Sequence, residues 1–303
     1  MTETALAVRH LDATRGTFRL RDVGFELPTG YVMGFVGPNG AGKTTTIRCI
    51  LGMLRPDAGE IEVLGRRLPT GVDLREDIGV VLDHTYLVED WRLAEVERAL
   101  RPLYRRWDGA RFHELLDTFA LDAAHRVKEL SRGQQMKLMI AVALSHHARL
   151  LVLDEPTSGL DPVARDELVG ILGDFLADEG HSVLFSTHIT ADLERVADYV
   201  TFINVGRIVA SEPKEELIDS YRLVRGGPDD LRAAGAELFG LRRTDVGVEA
   251  LVRTEDVGRL DGDLLVEAPN LDQIVVRIGT PAPSPPPGRP VGRSPLRIGG
   301  RTR

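Results

Sequence analysis

The sequence predicts an α/β protein built on a largely parallel sheet covered by helices. Three observations carry that expectation. Apolar runs of strand length (Tyr31–Val36, Ile78–Leu82, Leu150–Leu153, Ser182–Ser186 and Tyr199–Ile203) alternate with helical stretches at 162–178 and 190–197, and strands separated by helices pair in parallel. The run ending at Val36 passes through a glycine-rich loop into a helical stretch from Thr44 to Met53, with Ile47, Ile50 and Leu51 at helical spacing. The run Leu150–Leu153 ends in two adjacent carboxylates, Asp154 and Glu155.

The remaining elements follow in chain order. Leu6–Arg9, Phe18–Leu20, Val23–Leu27 and Ile61–Leu64 read as short strands joined by turns. Between Trp91 and Glu129 the pattern changes to helices rich in Leu, Arg and Glu, with Trp91, Leu93, Val96, Leu100 and Leu103 along one face. This stretch reads as an insertion into the sheet domain, and Trp91 and Trp107 read as packing residues within it. Beyond about residue 215 the chain predicts a small mixed α/β extension, with strands at Val246–Val252 and Leu264–Glu267. The segment from Thr280, with its successive prolines and then arginines, reads as a disordered tail.

Composition limits the function classes. The 303 residues are 43% hydrophobic and 28% charged, with a mean hydropathy of -0.10, as in ordinary soluble proteins. No apolar run approaches the about 20 residues that cross a bilayer, and the first residues lack the basic and apolar segments of a signal peptide; both point to the cytoplasm. The net charge is -8, and the five arginines of the tail leave -13 on the remainder. So acidic a body argues against nucleic acid as a partner but not against a nucleotide held by local donors. The single cysteine, Cys49, reads as a small buried apolar residue.

The glycine-rich loop is Gly37-Pro38-Asn39-Gly40-Ala41-Gly42-Lys43-Thr44-Thr45. Its form, GxxxxGK[ST] between a strand and a helix, is that of a phosphate cradle. Bare backbone N–H groups converge on phosphate oxygens, and the helix start adds partial positive charge. Lys43 is placed to reach the β- and γ-phosphates, and the Thr44 hydroxyl to hold Mg²⁺.

The carboxylate strand supplies complementary groups. Asp154, at a strand tip beside the loop, is placed to bind Mg²⁺ directly or through water. Glu155, one residue further, is placed to act as general base toward the water that attacks the γ-phosphate. Upstream, Leu130-Ser131-Arg132-Gly133-Gln134-Gln135 precedes a helical run from Met136 to His146. Ser131 reads as its N-cap, so the chain has a second helix start with free N–H groups and a hydroxyl. If this second start faces another subunit's ATP, nucleotide would join two chains head to tail.

The order of phosphate loop, Leu-Ser-x-Gly-Gln, carboxylate strand, Ser158-Gly159-Leu160-Asp161 and Ser186-Thr187-His188 resembles the ATP-binding subunit of an ABC transporter, of the exporter type with a separate permease. The resemblance covers about Ala5 to Glu216. It implies a P-loop ABC ATPase fold: a mainly parallel sheet, an antiparallel β part, and a helical insertion at about 84–140. Residues 217–279 then form the small extension and 280–303 the tail. It implies that residues 37–45 bind the phosphates of ATP, that Thr44 and Asp154 share Mg²⁺, and that Glu155 activates water. His188 would contact the γ-phosphate, Ser131, Gly133 and Gln134 would close over a partner subunit's ATP, and Asp161 would sit at the seam. The implied partners are an integral-membrane permease and a second ABC subunit, identical or homologous. The implied location is peripheral, on the inner face of the cell membrane. The implied function is to power transport, in the direction of export; a soluble ABC ATPase with a regulatory or translation-linked role is the alternative.

Three positions depart from the family pattern. Arg15 stands where the family has an aromatic that stacks on adenine, with Phe18 nearby, and its guanidinium could stack in that place. Asp83 replaces the family's Gln after the strand Ile78–Leu82, a position that joins Mg²⁺ to the helical insertion. A carboxylate is an adequate Mg²⁺ ligand there. Arg132 replaces a glycine of the signature, and the sequence leaves open whether its side chain lies toward phosphate or away.

Overall fold

The computed structural model describes residues 3–68, 76–227, 231, 236–245, 247–260 and 264–279. Strands β1 (Thr4–Arg15) and β2 (Phe18–Pro28) form an antiparallel pair, and β3 (Val32–Val36) runs from there to the loop and helix α1 (Lys43–Ile50). Strands β4 (Ala58–Val63) and β5 (Arg66–Leu68) add to β1, giving the antiparallel order β2-β1-β4-β5. Both early strands are longer than their apolar pattern suggests. β1 carries register shifts around His10, which has φ +50°, and β2 runs on through Asp22 at φ +53°. Such bulges break the period of two that marks a strand in sequence. Helix α1 is shorter than the expected 44–53, ending before Gly52 in a left-handed conformation, φ +67°.

After β6 (Ile78–Val81) come the helices α2 (Leu93–Leu100), α3 (Gly109–Thr118) and α4 (Arg132–Ser145). The chain then alternates β7 (Leu150–Asp154), α5 (Pro162–Leu176), β8 (Ser182–Thr187), α6 (Thr190–Val196) and β9 (Tyr199–Asn204). Strand β10 (Arg207–Pro213) turns back antiparallel on β9, giving the order β10-β9-β3-β8-β7-β6 with five parallel strands.

Strands β3, β7 and β8 are buried at every residue, because both faces of the parallel sheet are covered. Alternate residues therefore feed two cores. Val32, Leu151, Leu153, Val183 and Phe185 join the helical side, while Met33, Phe35, Val152 and Leu184 join α1 and the antiparallel sheet. Cys49 lies in the second core, where burial pushes its thiol up to about 11, so it stays protonated and packs as expected.

Helix α7 (Lys214–Asp219) leads into strands β11 (Tyr221–Gly226), β12 (Phe239–Thr244), β13 (Gly247–Arg253) and β14 (Leu265–Glu267), then α8 (Leu271–Ile278). The sheet is antiparallel, ordered β12-β13-β11-β14. Helix α8 ties it to the main body: the Thr190 hydroxyl donates to Asp272 Oδ1 at 2.6 Å, and the Leu271 N–H donates to Glu194 Oε1 at 3.2 Å. Strands β5, β10, β11 and β12 and helices α7 and α8 were not anticipated from sequence. The expected tail at 280–303 and Val246 of the expected strand lie outside the described residues.

Candidate active site

The loop between β3 and α1 is shaped by close approach. A Cβ on Gly37 would overlap the Ile203 carbonyl oxygen, so the turn lies flat against β9. Gly42 caps α1 at φ +119°, with Leu20 Cδ2 2.6 Å from where its Cβ would stand. Both positions require the glycine that the motif supplies. They deliver Lys43, 5% exposed, to the carboxyl end of the sheet, where its Nζ donates to the carbonyls of Gly37 at 2.7 Å and Pro38 at 3.4 Å.

Strand β7 brings its acids to the same point. Glu155 has φ +53°, which for a residue with a Cβ stores strain of roughly 1–3 kcal/mol. That turn directs its carboxylate at two partners: Oε1 is 3.1 Å from Lys43 Nζ and Oε2 is 2.7 Å from His188 Nδ1. The backbone is held by Glu155 N–H donating to the Ser186 carbonyl at 2.9 Å. Asp154 lies deeper, 3% exposed. Burial pushes its carboxyl above the usual range, against the hydroxyls of Thr44 and Ser186 that donate to it. Its bond from Ser186 Oγ is 3.1 Å.

Lys43, Glu155 and His188 border a cleft of about 510 Å³, within the range of small-ligand sites. Asn39, Gly40, Gly42 and Lys43–Thr45 of the loop and helix start line it, together with Arg15 and Phe18, and with Asp83, Glu155, Ser158 and His188. Gly37, Pro38 and Ala41, expected with them, are not among the residues that line it. The second helix start is elsewhere. Ser131 Oγ accepts from Gln134 N–H at 3.3 Å, and Ser131 N–H donates to Gln134 Oε1 at 2.9 Å, a reciprocal cap at the beginning of α4. Ser131, Gly133 and Gln134 do not line the cleft that holds Lys43.

A family model described as "ABC transporter" matches residues 20–158. A Nod factor export ATP-binding protein I from Mesorhizobium japonicum is 34% identical over 278 residues, covering 85% of this chain and 81% of its own length. The chain belongs to the ATP-binding subunits of ABC transporters. A Nod factor export ATP-binding protein I from Rhizobium leguminosarum bv. viciae is 33% identical, covering 87% of this chain and 90% of that protein. Among solved structures, an ATP-binding subunit of an ABC transporter superposes with a TM-score of 0.64 at 31% identity, over 70% of this chain and 91% of the other. A dimeric ATP-binding cassette bound to ADP and Pi has a TM-score of 0.61 at 24% identity over 69% of this chain, a likeness of fold.

This ABC subunit is therefore an ATPase that powers transport, and the regulatory or translation-linked alternative is not favoured. The residues present fit its nucleotide. The glycines leave the loop's backbone N–H groups free of side chains, as phosphates would require, and the hydroxyl of Thr44 with the carboxylate of Asp154 would suit the sparse protein ligand set that Mg²⁺ takes. No cluster of three metal-ligating side chains exists among the described residues, and no helix among them is long and apolar enough to cross a membrane.

Several features of the site were not read from the sequence. Ser158 lines the cleft, Ser186 partners Asp154, and Glu155 occupies a left-handed conformation. Ser186 and Ser158 stood inside motifs, which was the available signal; the conformation of Glu155 had none. Asp161 caps α5, accepting from Val163 N–H at 2.9 Å and Ala164 N–H at 3.0 Å.

Proposed function

We propose that this subunit hydrolyses Mg·ATP as one half of a head-to-tail pair and drives export through a separate integral-membrane permease, from the inner face of the cell membrane. The observation that carries this reading is the separation of two helix starts. One opens into the chain's own cleft, and the other, at Ser131–Gln134, lies outside it with polar groups that a second subunit's nucleotide would meet. The companion is a second copy or a homologous subunit. The direction rests on the relatives, whose names specify export.

Within the cleft, the amides of residues 37–45 and Lys43 would hold the phosphates, and Arg15 with Phe18 would flank the base. Thr44 and Asp154 would hold Mg²⁺, which supplies charge neutralisation on the phosphates, with Asp83 as a further oxygen ligand at the rim. Glu155, aimed by its backbone turn and by His188, would take the proton of the attacking water. His188 would then stand against the γ-phosphate. The helical insertion would carry closure to the permease.

Turnover assays test the assignments. Glu155→Gln should bind nucleotide while its hydrolysis falls at least about 100-fold, the usual scale of general-base loss. Hydrolysis at the normal rate would remove Glu155 from that role. Purification in detergent from the native membrane should retain a multi-span partner, and recovery with ribosomes or DNA instead would redirect the reading.

A further inference from the structure

Two of the positions at which this chain departs from the family pattern, Asp83 and Arg132, are 49 residues apart in sequence and touch in space. Arg132 Nη2 donates to Asp83 Oδ1, and the second carboxylate oxygen lies 3.2 Å from His84 Nε2. Asp83 follows β6 and lines the cleft together with Lys43 and Thr44. Arg132 opens α4, next to the Ser131 cap.

The placement of each charge is unfavourable alone. A carboxylate lining the cleft repels an entering polyphosphate. A cation in the first turn of a helix opposes the partial positive charge there, and no acidic residue in the first turn of α4 offsets it. Together they cancel. The family's neutral Gln and Gly are replaced by -1 and +1, so the local sum is unchanged.

The guanidinium is also seated. Gly159 has φ +72°, and a Cβ there would stand 3.2 Å from Arg132 Cδ and 3.3 Å from Nη1. The side chain thus lies across the backbone of the Ser158–Asp161 segment on its way to Asp83. With side chains 45% and 36% exposed, the pair contributes little to folding. Its effect is on what the cleft binds.

We propose that Arg132 is a positioning residue of the nucleotide site: it seats the Asp83 carboxylate at the cleft rim and cancels its charge beside the triphosphate. The inference rests on the reading that the cleft takes Mg·ATP. It assigns the Arg132 side chain to its own chain's site, toward the strand end.

A double-mutant cycle read by binding of a fluorescent ATP analogue with Mg²⁺ tests it without turnover. At low salt, Arg132→Gly should weaken binding about tenfold, equivalent to about 1.4 kcal/mol. In the Asp83→Gln background the same Arg132→Gly change should shift binding by less than about threefold, a non-additivity expected of touching residues. Arg132→Lys should restore most of the loss. The Arg132→Gly deficit should shrink at about 0.5 M salt, where charge repulsion is screened. Parent-like binding by Arg132→Gly, an equal loss in the Asp83→Gln background, or a deficit indifferent to salt would each overturn the proposal. If the glycine variant does not fold, Arg132→Gln removes the charge while keeping most of the stem, with the same expectations. Failure of the parent itself to bind the analogue would overturn the ATP reading as well, whereas parent binding without coupling overturns this inference alone.

Discussion

Two regions of this molecule bury charge beside a β-sheet, and they do so to opposite ends. In the C-terminal extension, Glu249 and Arg277 are each 8% exposed. Arg277 Nη2 donates to Glu249 Oε1 at 2.5 Å, Arg225 Nε donates to Glu249 Oε2 at 3.3 Å, and Arg225 also donates to Glu267. Two cations alternate with two anions on regular strands and a helix, with Arg277 Nε left as a buried donor without a partner. Around the cleft, Lys43, Asp154, Glu155 and His188 sit beside a backbone bent through left-handed conformations at Gly42 and Glu155; Lys43, Glu155 and His188 line the open volume, and Asp154 is buried. The first arrangement pairs its charges with one another; the second sets a strained backbone and paired charges beside an open cleft. Buried charge therefore marks function only where backbone strain and a cleft accompany it.

Substitutions should separate the two regions, the largest effect first. Lys43→Ala removes the cation at the centre of the cleft. Nucleotide affinity should fall by about 100-fold or more, on the scale of a desolvated charged contact, with a smaller loss of thermal stability than Glu249→Gln, because Glu155 keeps His188 as a partner. Equilibrium binding and melting curves measure both; unaltered affinity would detach Lys43 from the phosphates.

Glu249→Gln should show the reverse. Removing one partner of a buried pair leaves Arg277 uncompensated and should cost about 3 kcal/mol of stability, while ATP turnover per folded molecule stays at the parent rate. Denaturant melts combined with turnover assays decide this, and a selective loss of turnover would give the extension network a catalytic role.

The smallest effect sharpens the comparison most. The Asp154 carboxyl is raised above its ordinary value, chiefly by burial. A raised carboxyl means that folding becomes less favourable as pH rises through its folded value, because the ionised form is penalised in the native state. Asp154→Asn, which lacks that charge, should raise the melting temperature by a few degrees at neutral pH while abolishing Mg²⁺-dependent hydrolysis. A lower melting temperature would place Asp154 with the structural charges of the extension.

What the sequence disclosed follows the same division. The parallel strands were legible because burial on both faces makes them continuous apolar runs, and the phosphate loop because its glycines answer to fixed steric demands at Gly37 and Gly42. Strand β12 was not legible, since four of its six residues, Leu241 to Thr244, are exposed and carry no alternation. Helix α8 did leave a signal, the reciprocal cap between Asn270 and Gln273, set in a stretch of few motifs. The pairs Asp154–Ser186 and Asp83–Arg132 join residues 32 and 49 positions apart. Neither spacing nor composition reports such contacts; only the order of strands in the sheet and the packing of α4 bring them together.

Sedimentation velocity of Glu155→Gln at saturating Mg·ATP bears most directly on the head-to-tail pair. A two-chain species, formed alone or with a homologous companion and dissolving when ADP replaces ATP, is the result expected if each Ser131–Gln134 start closes over a neighbour's nucleotide. A single-chain species under every nucleotide condition, with and without the companion, would contradict it.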